Sequence, residues 1–265
     1  MENTIFYFTG TGNSLAVAKK ISNDGKEFQL LPMVGMLNED KVEITCNKVG
    51  FIFPVYFAGL PNIVKKFMEK VTFDKQCYIF AIVTCGFTWS GYALNQLKAI
   101  IIKKKQKLSA GYYIAMVDNF LPKYNIPSME KQLIISQNCE EKIEVINKQI
   151  KNNDTFIEIE KGFLLYLMYP MFLMFIKRYD AFFKTDGRCN SCTLCQSVCP
   201  VNNIIICEGK PKWLHKCEFC MACINYCPQN TIQWGKFTSE RGRYHHKEIS
   251  AKEIIKQNNS LKNTV

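Results

Sequence analysis

Short apolar runs alternate with stretches of helical spacing along the first 150 residues. Residues 5–8, 28–31, 49–53, 78–84 and 111–117 are apolar and rich in β-branched or aromatic side chains, which predicts five strands. Between them, residues 14–21, 61–70 and 92–104 read as helices, the last with Leu94, Leu97 and Ile101 at helical spacing. Ser128 can cap a further helix with Leu133, Ile143, Ile146 and Ile150 on one face. Strands without a polar face need cover on both sides. The pattern therefore predicts an α/β fold, a doubly wound parallel sheet between two layers of helices.

Residues 153–186 read differently. After a polar start, Phe163 opens a fourteen-residue apolar run that ends at Ile176. About twenty such residues are needed to span a bilayer, and Pro170 interrupts this run. A bent helix or helical hairpin packed between two parts of the chain is expected. A membrane-surface anchor is the alternative. Residues 236–265 read as a polar, basic tail. The expected division is 1–152, a connector at 153–186, a small unit at 187–235 and the tail.

The small unit contains an internal repeat. Cys189, Cys192, Cys195 and Cys199, followed by Pro200, recur 28 positions later as Cys217, Cys220, Cys223 and Cys227, followed by Pro228. Three cysteines spaced by three can wrap one face of a cubane. In this run the fourth thiolate ligates the other cluster. One [4Fe-4S] cluster is thus expected on Cys189, Cys192, Cys195 and Cys227, and a second on Cys217, Cys220, Cys223 and Cys199. Disulfides would require an oxidising compartment, and residues 1–25 lack the pattern of a secretory signal, so a cytoplasmic setting is expected. Zinc ribbons use two separated Cys-x2-Cys pairs without the third cysteine. The other five cysteines, Cys46, Cys77, Cys85, Cys139 and Cys207, lack such spacing and read mostly as small core residues. This segment resembles the bacterial two-cluster ferredoxins.

Thr9-Gly10-Thr11-Gly12-Asn13-Ser14 follows the first strand and opens the first helix. Hydroxyls, glycines and a helix N-terminus together suit one phosphate group. Leu15 stands where a dinucleotide fingerprint needs its third glycine, which favours a mononucleotide. The spacing resembles the flavodoxin phosphate loop, and five strands fit the flavodoxin-like order. That resemblance implies FMN, with its ring between two later loops. Here these carry Pro54, Tyr56, Phe57 and Gly59, then Thr84, Cys85, Gly86 and Trp89. Tyr56 or Trp89 would stack on the ring, and Gly59 and Gly86 would admit backbone amides to its polar edge. These loops hold no Asp or Glu, and Asp118 is the nearest candidate carboxylate. A reduced FMN less disfavoured than in acidic flavodoxins is expected.

The whole arrangement, over residues 3 to 247, resembles the flavodoxin–ferredoxin fusion proteins of anaerobes, the EFR-type ferredoxins. Gly242 to His246 resembles a tail motif of that family, and Arg241 and Arg243 are candidates to contact the flavin domain. The net charge is +11, of which residues 187–265 hold +6, from eleven Lys/Arg and five Glu. No nucleic-acid motif accompanies it, so an acidic redox partner such as a ferredoxin or flavodoxin is expected. Electron transfer between the clusters and FMN is the function implied. An FMN-dependent reductase of a small molecule or of NAD(P)H, and an iron–sulfur redox sensor, are the alternatives.

Overall fold

The computed structural model describes residues 3–86, 91–159 and 163–259. Its first half runs β1 (Thr4–Tyr7), α1 (Asn13–Ile21), β2 (Gln29–Pro32), β3 (Val42–Ile44), β4 (Lys48–Pro54), α2 (Asn62–Lys70), β5 (Val71–Phe73), β6 (Tyr78–Cys85), α3 (Ala93–Lys103), β7 (Leu108–Ala115) and α4 (Met129–Lys151). Beyond these come β8 (Phe156–Ile157) and α5 (Phe163–Tyr179). The cysteine segment follows with β9 (Phe183–Thr185), α6 (Leu194–Ser197), β10 (Ile204–Cys207), β11 (Lys210–Trp213), α7 (Ala222–Asn225) and β12 (Ile232–Trp234), and α8 (Ala251–Asn259) closes the chain.

Six parallel strands form the main sheet in the order β2-β1-β4-β6-β7-β8. One row across it reads Leu31, Phe6, Phe51, Ala81, Gly111 and Ile157. Successive side chains point to opposite faces, so β1 sends Phe6 to one layer and Ile5 and Tyr7 to the other. Phe6 joins α2 and α3 through Phe67 and Leu97. Ile5 joins α1 and α4 through Val17 and Ile146. This is an α/β protein whose first five sheet strands follow the flavodoxin-like order. The order in which strands are added reverses between β1 and β4, which opens a crevice at their carboxyl ends.

Five strands were expected and six are present. The sixth, β8, comes from the polar start of the connector. Two residues paired to Ala110 and Gly111 leave no periodic signal. Ser128 does cap α4, accepting from the Lys131 amide at 3.4 Å. Ile143, Ile146 and Ile150 are buried, but Leu133 is exposed because only the later turns of α4 lie on the sheet.

The connector forms one helix, α5, with Pro170 inside it, and no hairpin. Tyr169 and Ile176 are buried, while Leu167, Met168, Met171 and Met174 are exposed. Among the described residues no helix is long and apolar enough to cross a membrane. The cysteine segment builds a small core from Phe183, Ile204, Phe219, Ile224 and Ile232, into which Leu121 and Ile176 also pack. Its two hairpin-like pairs, β10 with β11 and β9 with β12, are antiparallel. The described part of the basic tail, through residue 259, is packed against the rest of the chain. Ile249 and Ile254 are fully buried, and α8 packs on the α1 side of the sheet, where Lys19 pairs with Glu253.

Candidate functional site

A cavity of about 690 Å³ opens where β1, β4, β6 and β7 end. That is within the size range of sites for cofactors. Thr9, Gly10, Thr11, Asn13 and Ser14 form its floor. The loops after β4 and β6 contribute Pro54, Tyr56, Phe57, Thr84, Cys85 and Gly86, and the loop after β7 contributes Asp118 to Phe120 and Lys123. The far wall comes from the cysteine half: Tyr179, Phe219, Cys220, Met221 and Trp234.

The floor is built for an anion. Gly12 precedes α1 with φ +100°, a conformation that L side chains rarely adopt, and no side chain caps the helix. The first turn of α1 therefore points uncapped amides at the cavity. Gly12 N–H donates to Thr9 Oγ1 at 3.0 Å, which closes the loop on itself. Ser14 Oγ and Thr84 Oγ1 share a hydrogen bond at 2.8 Å, and Asn119 Nδ2 donates to Thr11 Oγ1. Hydroxyls and amides with a helix N-terminus fit a phosphate group. Gly12 itself does not line the cavity. It faces Ile249 and His246 on the opposite side.

The ring-sized part of the cavity is apolar. Tyr56 and Gly59 exchange backbone hydrogen bonds at 3.0 and 2.9 Å, so Phe57 and Ala58 sit at the tip of a two-residue turn with φ of 49° and 62°. Such turns normally use Asn-Gly. Two non-glycine residues there store strain, of order 1–3 kcal/mol each. The turn sends Phe57 against Phe219, stacked at 5.8 Å, and leaves Tyr56 lining the cavity. Burial pushes the Tyr56 phenol well above its ordinary pKa, so it stays protonated.

Gly59 does not approach the cavity. Its amide is used by Tyr56, and a Cβ there would meet the Tyr169 ring of α5 at 2.3 Å. Gly86 lines the cavity, but its close neighbour is the Asp118 carboxylate. Burial raises the Asp118 pKa, against hydrogen bonds from the Phe120 and Asn119 amides and the charge of Lys123. Trp89 lies outside the described residues. Sequence patterns missed Asn119, Phe120, Tyr179, Phe219 and Trp234, because loop and wall residues carry no local periodicity.

The eight repeat cysteines form two sets. Cys189, Cys192, Cys195 and Cys227 line one small pocket. Cys199 acts electrostatically on Cys217, Cys220 and Cys223. Cys227 thus lies beside the first run, and Cys199 is within electrostatic reach of the second, as Cys195 is of Cys223. The backbone repeats as the sequence does. Ser191 and Phe219 are left-handed, as are Thr193 and Met221, and Asn202 and Asn230, each pair 28 residues apart. Alternating left- and right-handed residues turn successive amides into a concavity that suits an anionic centre.

Amides also reach sulfur directly. Asn203 N–H donates to Cys199 Sγ at 3.2 Å and Phe219 N–H to Cys217 Sγ at 3.2 Å. Burial pushes the Cys220 thiol up to about 12 and the Cys195 thiol to about 11. Burial also acts on Cys227, but amides of Ile232, Thr231 and Gln229 outweigh it and shift that thiol down. A thiolate at such a partly buried position needs cationic compensation. Among the described residues no three metal-binding side chains converge as they would around one ion.

The two halves lock together beside the second set. Glu218, buried between Cys217 and Phe219, accepts from Asn62 Nδ2 at 3.1 Å and from the Ile63 amide at 3.4 Å. It caps α2, whose own preceding residue, Pro61, offers no cap. Arg241 donates to the Leu121 carbonyl. Arg243 instead bonds Ile232, Gln233 and Thr238 within the cysteine half.

The topology and the cavity define an α/β protein with a doubly wound sheet and a site at its switch point. Solved structures resemble part of it. A Trp repressor binding protein from Bacillus subtilis is 13% identical over 57% of this chain and 96% of its own, with a TM-score of 0.37. An FMN-dependent NADH-azoreductase from Bacillus anthracis str. Ames Ancestor, in complex with FMN, is 10% identical over 57% and 99%, at 0.37. Rubredoxin oxygen:oxidoreductase from the anaerobe Desulfovibrio gigas is 14% identical over 57% and 36%, at 0.34. At these scores the likeness carries no argument about function. No family model matches the chain, and no curated protein does.

Proposed function

We propose that this chain is an electron-transfer protein that holds FMN in the cavity and a [4Fe-4S] cluster on each cysteine set. One residue carries the reading. Cys220 belongs to the second set and also lines the cavity, so the two candidate redox sites share a wall. When bound, FMN exchanges one or two electrons and each cubane one, which suits conversion between two-electron and one-electron chemistry.

The protein's own part is to bind, orient and keep water out. Thr9 to Ser14 hold the phosphate, helped by the positive end of α1. Tyr56, Phe57, Thr84 and Gly86 line the part of the cavity that would take the ring. Trp234 packs edge to face on Tyr179 at 6.5 Å and on Phe219 at 5.6 Å, Tyr179 and Phe219 are tilted at 5.7 Å, and the three close the far wall with apolar surface. The amides aimed at Cys199, Cys217 and Cys227 stabilise thiolate charge.

The first cysteine set faces outward. Cys192 is exposed, and Pro211 of the overlying β10–β11 hairpin is flanked by exposed Lys210 and Lys212. This face suits an acidic one-electron carrier protein. Metal, sulfide and flavin analysis of anaerobically purified protein tests the assignment. About eight irons and one FMN per chain are expected. Zinc, or iron without flavin, would overturn it. Stopped-flow mixing then separates carrier from reductase. Rapid flavin bleaching by an acidic ferredoxin but not by NADH or NADPH is expected.

A further inference from the structure

Phe8 N–H makes the last sheet bond of the first strand's path, to the Ile52 carbonyl at 3.0 Å. Thr9 follows, buried and past the end of β1. Its main chain is completed by a side chain 248 residues away. Gln257 Oε1 accepts from the Thr9 amide at 3.0 Å, and Gln257 Nε2 donates to the Thr9 carbonyl at 3.1 Å. Gln257 is fully buried on α8.

The same segment follows the phosphate loop residue by residue. His246 N–H donates to the Thr11 carbonyl at 2.9 Å. The Tyr244 hydroxyl donates to Asn13 Oδ1 at 3.1 Å, while Asn13 Nδ2 holds the Val117 carbonyl at 3.1 Å. A Cβ on Gly12 would stand 2.9 Å from Ile249 Cβ and 3.0 Å from His246 Cβ, so only glycine admits this approach. All these contacts lie behind the loop and leave its cavity side open.

The segment is also anchored on the cysteine half. The Tyr244 amide donates to Asn225 Oδ1 at 3.0 Å, and Asn258 Nδ2 donates to the Ser197 carbonyl at 3.1 Å. The Tyr226 and His245 rings stack at 4.6 Å.

We propose that Tyr244, His246, Ile249 and Gln257 are part of the nucleotide site: they clamp the phosphate loop from behind in its binding shape, with Gln257 and Tyr244 as positioning residues. This rests on the flavin reading above and extends it to the role of the C-terminal segment. A loop with two glycines is costly to order, and a preformed loop binds more tightly because that cost falls before the ligand arrives. Among the described residues its hydrogen bonds to the cavity wall go to Thr9, Thr11 and Asn13 of the loop, so its effect falls on the phosphate end of the ligand.

The test compares FMN with riboflavin, which has the same ring and no phosphate. Full-length Q257A, Y244F and K256A proteins, anaerobically loaded with iron, are titrated with each flavin by fluorescence quenching, and iron content and melting temperature are measured alongside. Lys256 is exposed on the same helix and serves as the control. Q257A is expected to weaken FMN binding about 10- to 100-fold, the worth of one to two buried hydrogen bonds. Riboflavin affinity and iron content should not change. Y244F, which loses one hydroxyl, should weaken FMN binding about 3- to 10-fold. It decides the matter if Q257A fails to fold. Equal FMN affinity in wild type, Y244F and Q257A would overturn the clamp while leaving the flavin assignment intact. Equal losses for FMN and riboflavin would also overturn it, because the effect would then be general. A wild-type protein that binds neither flavin would overturn the flavin reading itself.

Discussion

Gly10→Ala should separate the two halves of the site. A Cβ built at Gly10 would stand 2.6 Å from the Cys220 carbonyl oxygen, 2.8 Å from Tyr56 Oη and 3.1 Å from Cys220 Cβ. Ordinary contact begins at 3.4 Å, so the Cys220 backbone would have to retreat by about 0.8 Å. Tyr56 can swing aside, but Cys220 cannot move alone. Its loop is tied by Glu218 to the start of α2 and by the Phe219 amide to Cys217 Sγ. Overpacking of this kind costs about 1–3 kcal/mol. For a chain of this size that corresponds to a fall in melting temperature of roughly 2–12 °C. Thermal melting of the loaded full-length protein measures it, with FMN titration as a second readout. Gly187→Ala is the control, because a Cβ there has nothing within 4 Å. Wild-type melting and flavin affinity in G10A, matching G187A, would refute the close approach of the phosphate loop to the cysteine loop.

Other expectations follow from the same contacts. Glu218→Ala removes the cap of α2 and leaves a buried amide unpaired, which should cost about 1–3 kcal/mol by denaturant unfolding. Glu218→Gln keeps an accepting oxygen and should lose less. Cys192→Ser should lower iron content by about half, the share of one of two four-iron clusters, whereas Cys207→Ser, exposed and in neither set, should leave it unchanged. Colorimetric iron and sulfide assays distinguish the two. The double change Lys210→Glu with Lys212→Glu should slow reduction by an acidic ferredoxin and flatten its dependence on salt, measured by stopped flow. Unaltered rates at low ionic strength would place the docking face elsewhere.

The expected sheet appeared because its strands are apolar on both faces, and such runs are visible in one dimension. The 28-residue cysteine repeat was visible for a related reason. Each copy is a local loop, and its left-handed residues, Ser191 and Phe219, Thr193 and Met221, recur in register. The phosphate loop was equally local, a glycine-rich turn that opens α1.

What the sequence did not reveal was assembled across distance. β8 is two residues long and is defined by its pairing with Ala110 and Gly111 of β7. Phe219 and Trp234 pack in the core of the cysteine segment, and the tertiary fold also makes them a wall of the cavity at the sheet. Gln257 reads as a polar surface residue in a basic tail. Burying its amide is favourable only because Thr9 offers both an N–H and a C=O at the right place, 248 residues earlier. Local periodicity records which side chains favour burial. Which polar group will meet which partner is settled only when the sheet, the cysteine loops and the C-terminal helix have closed on one another.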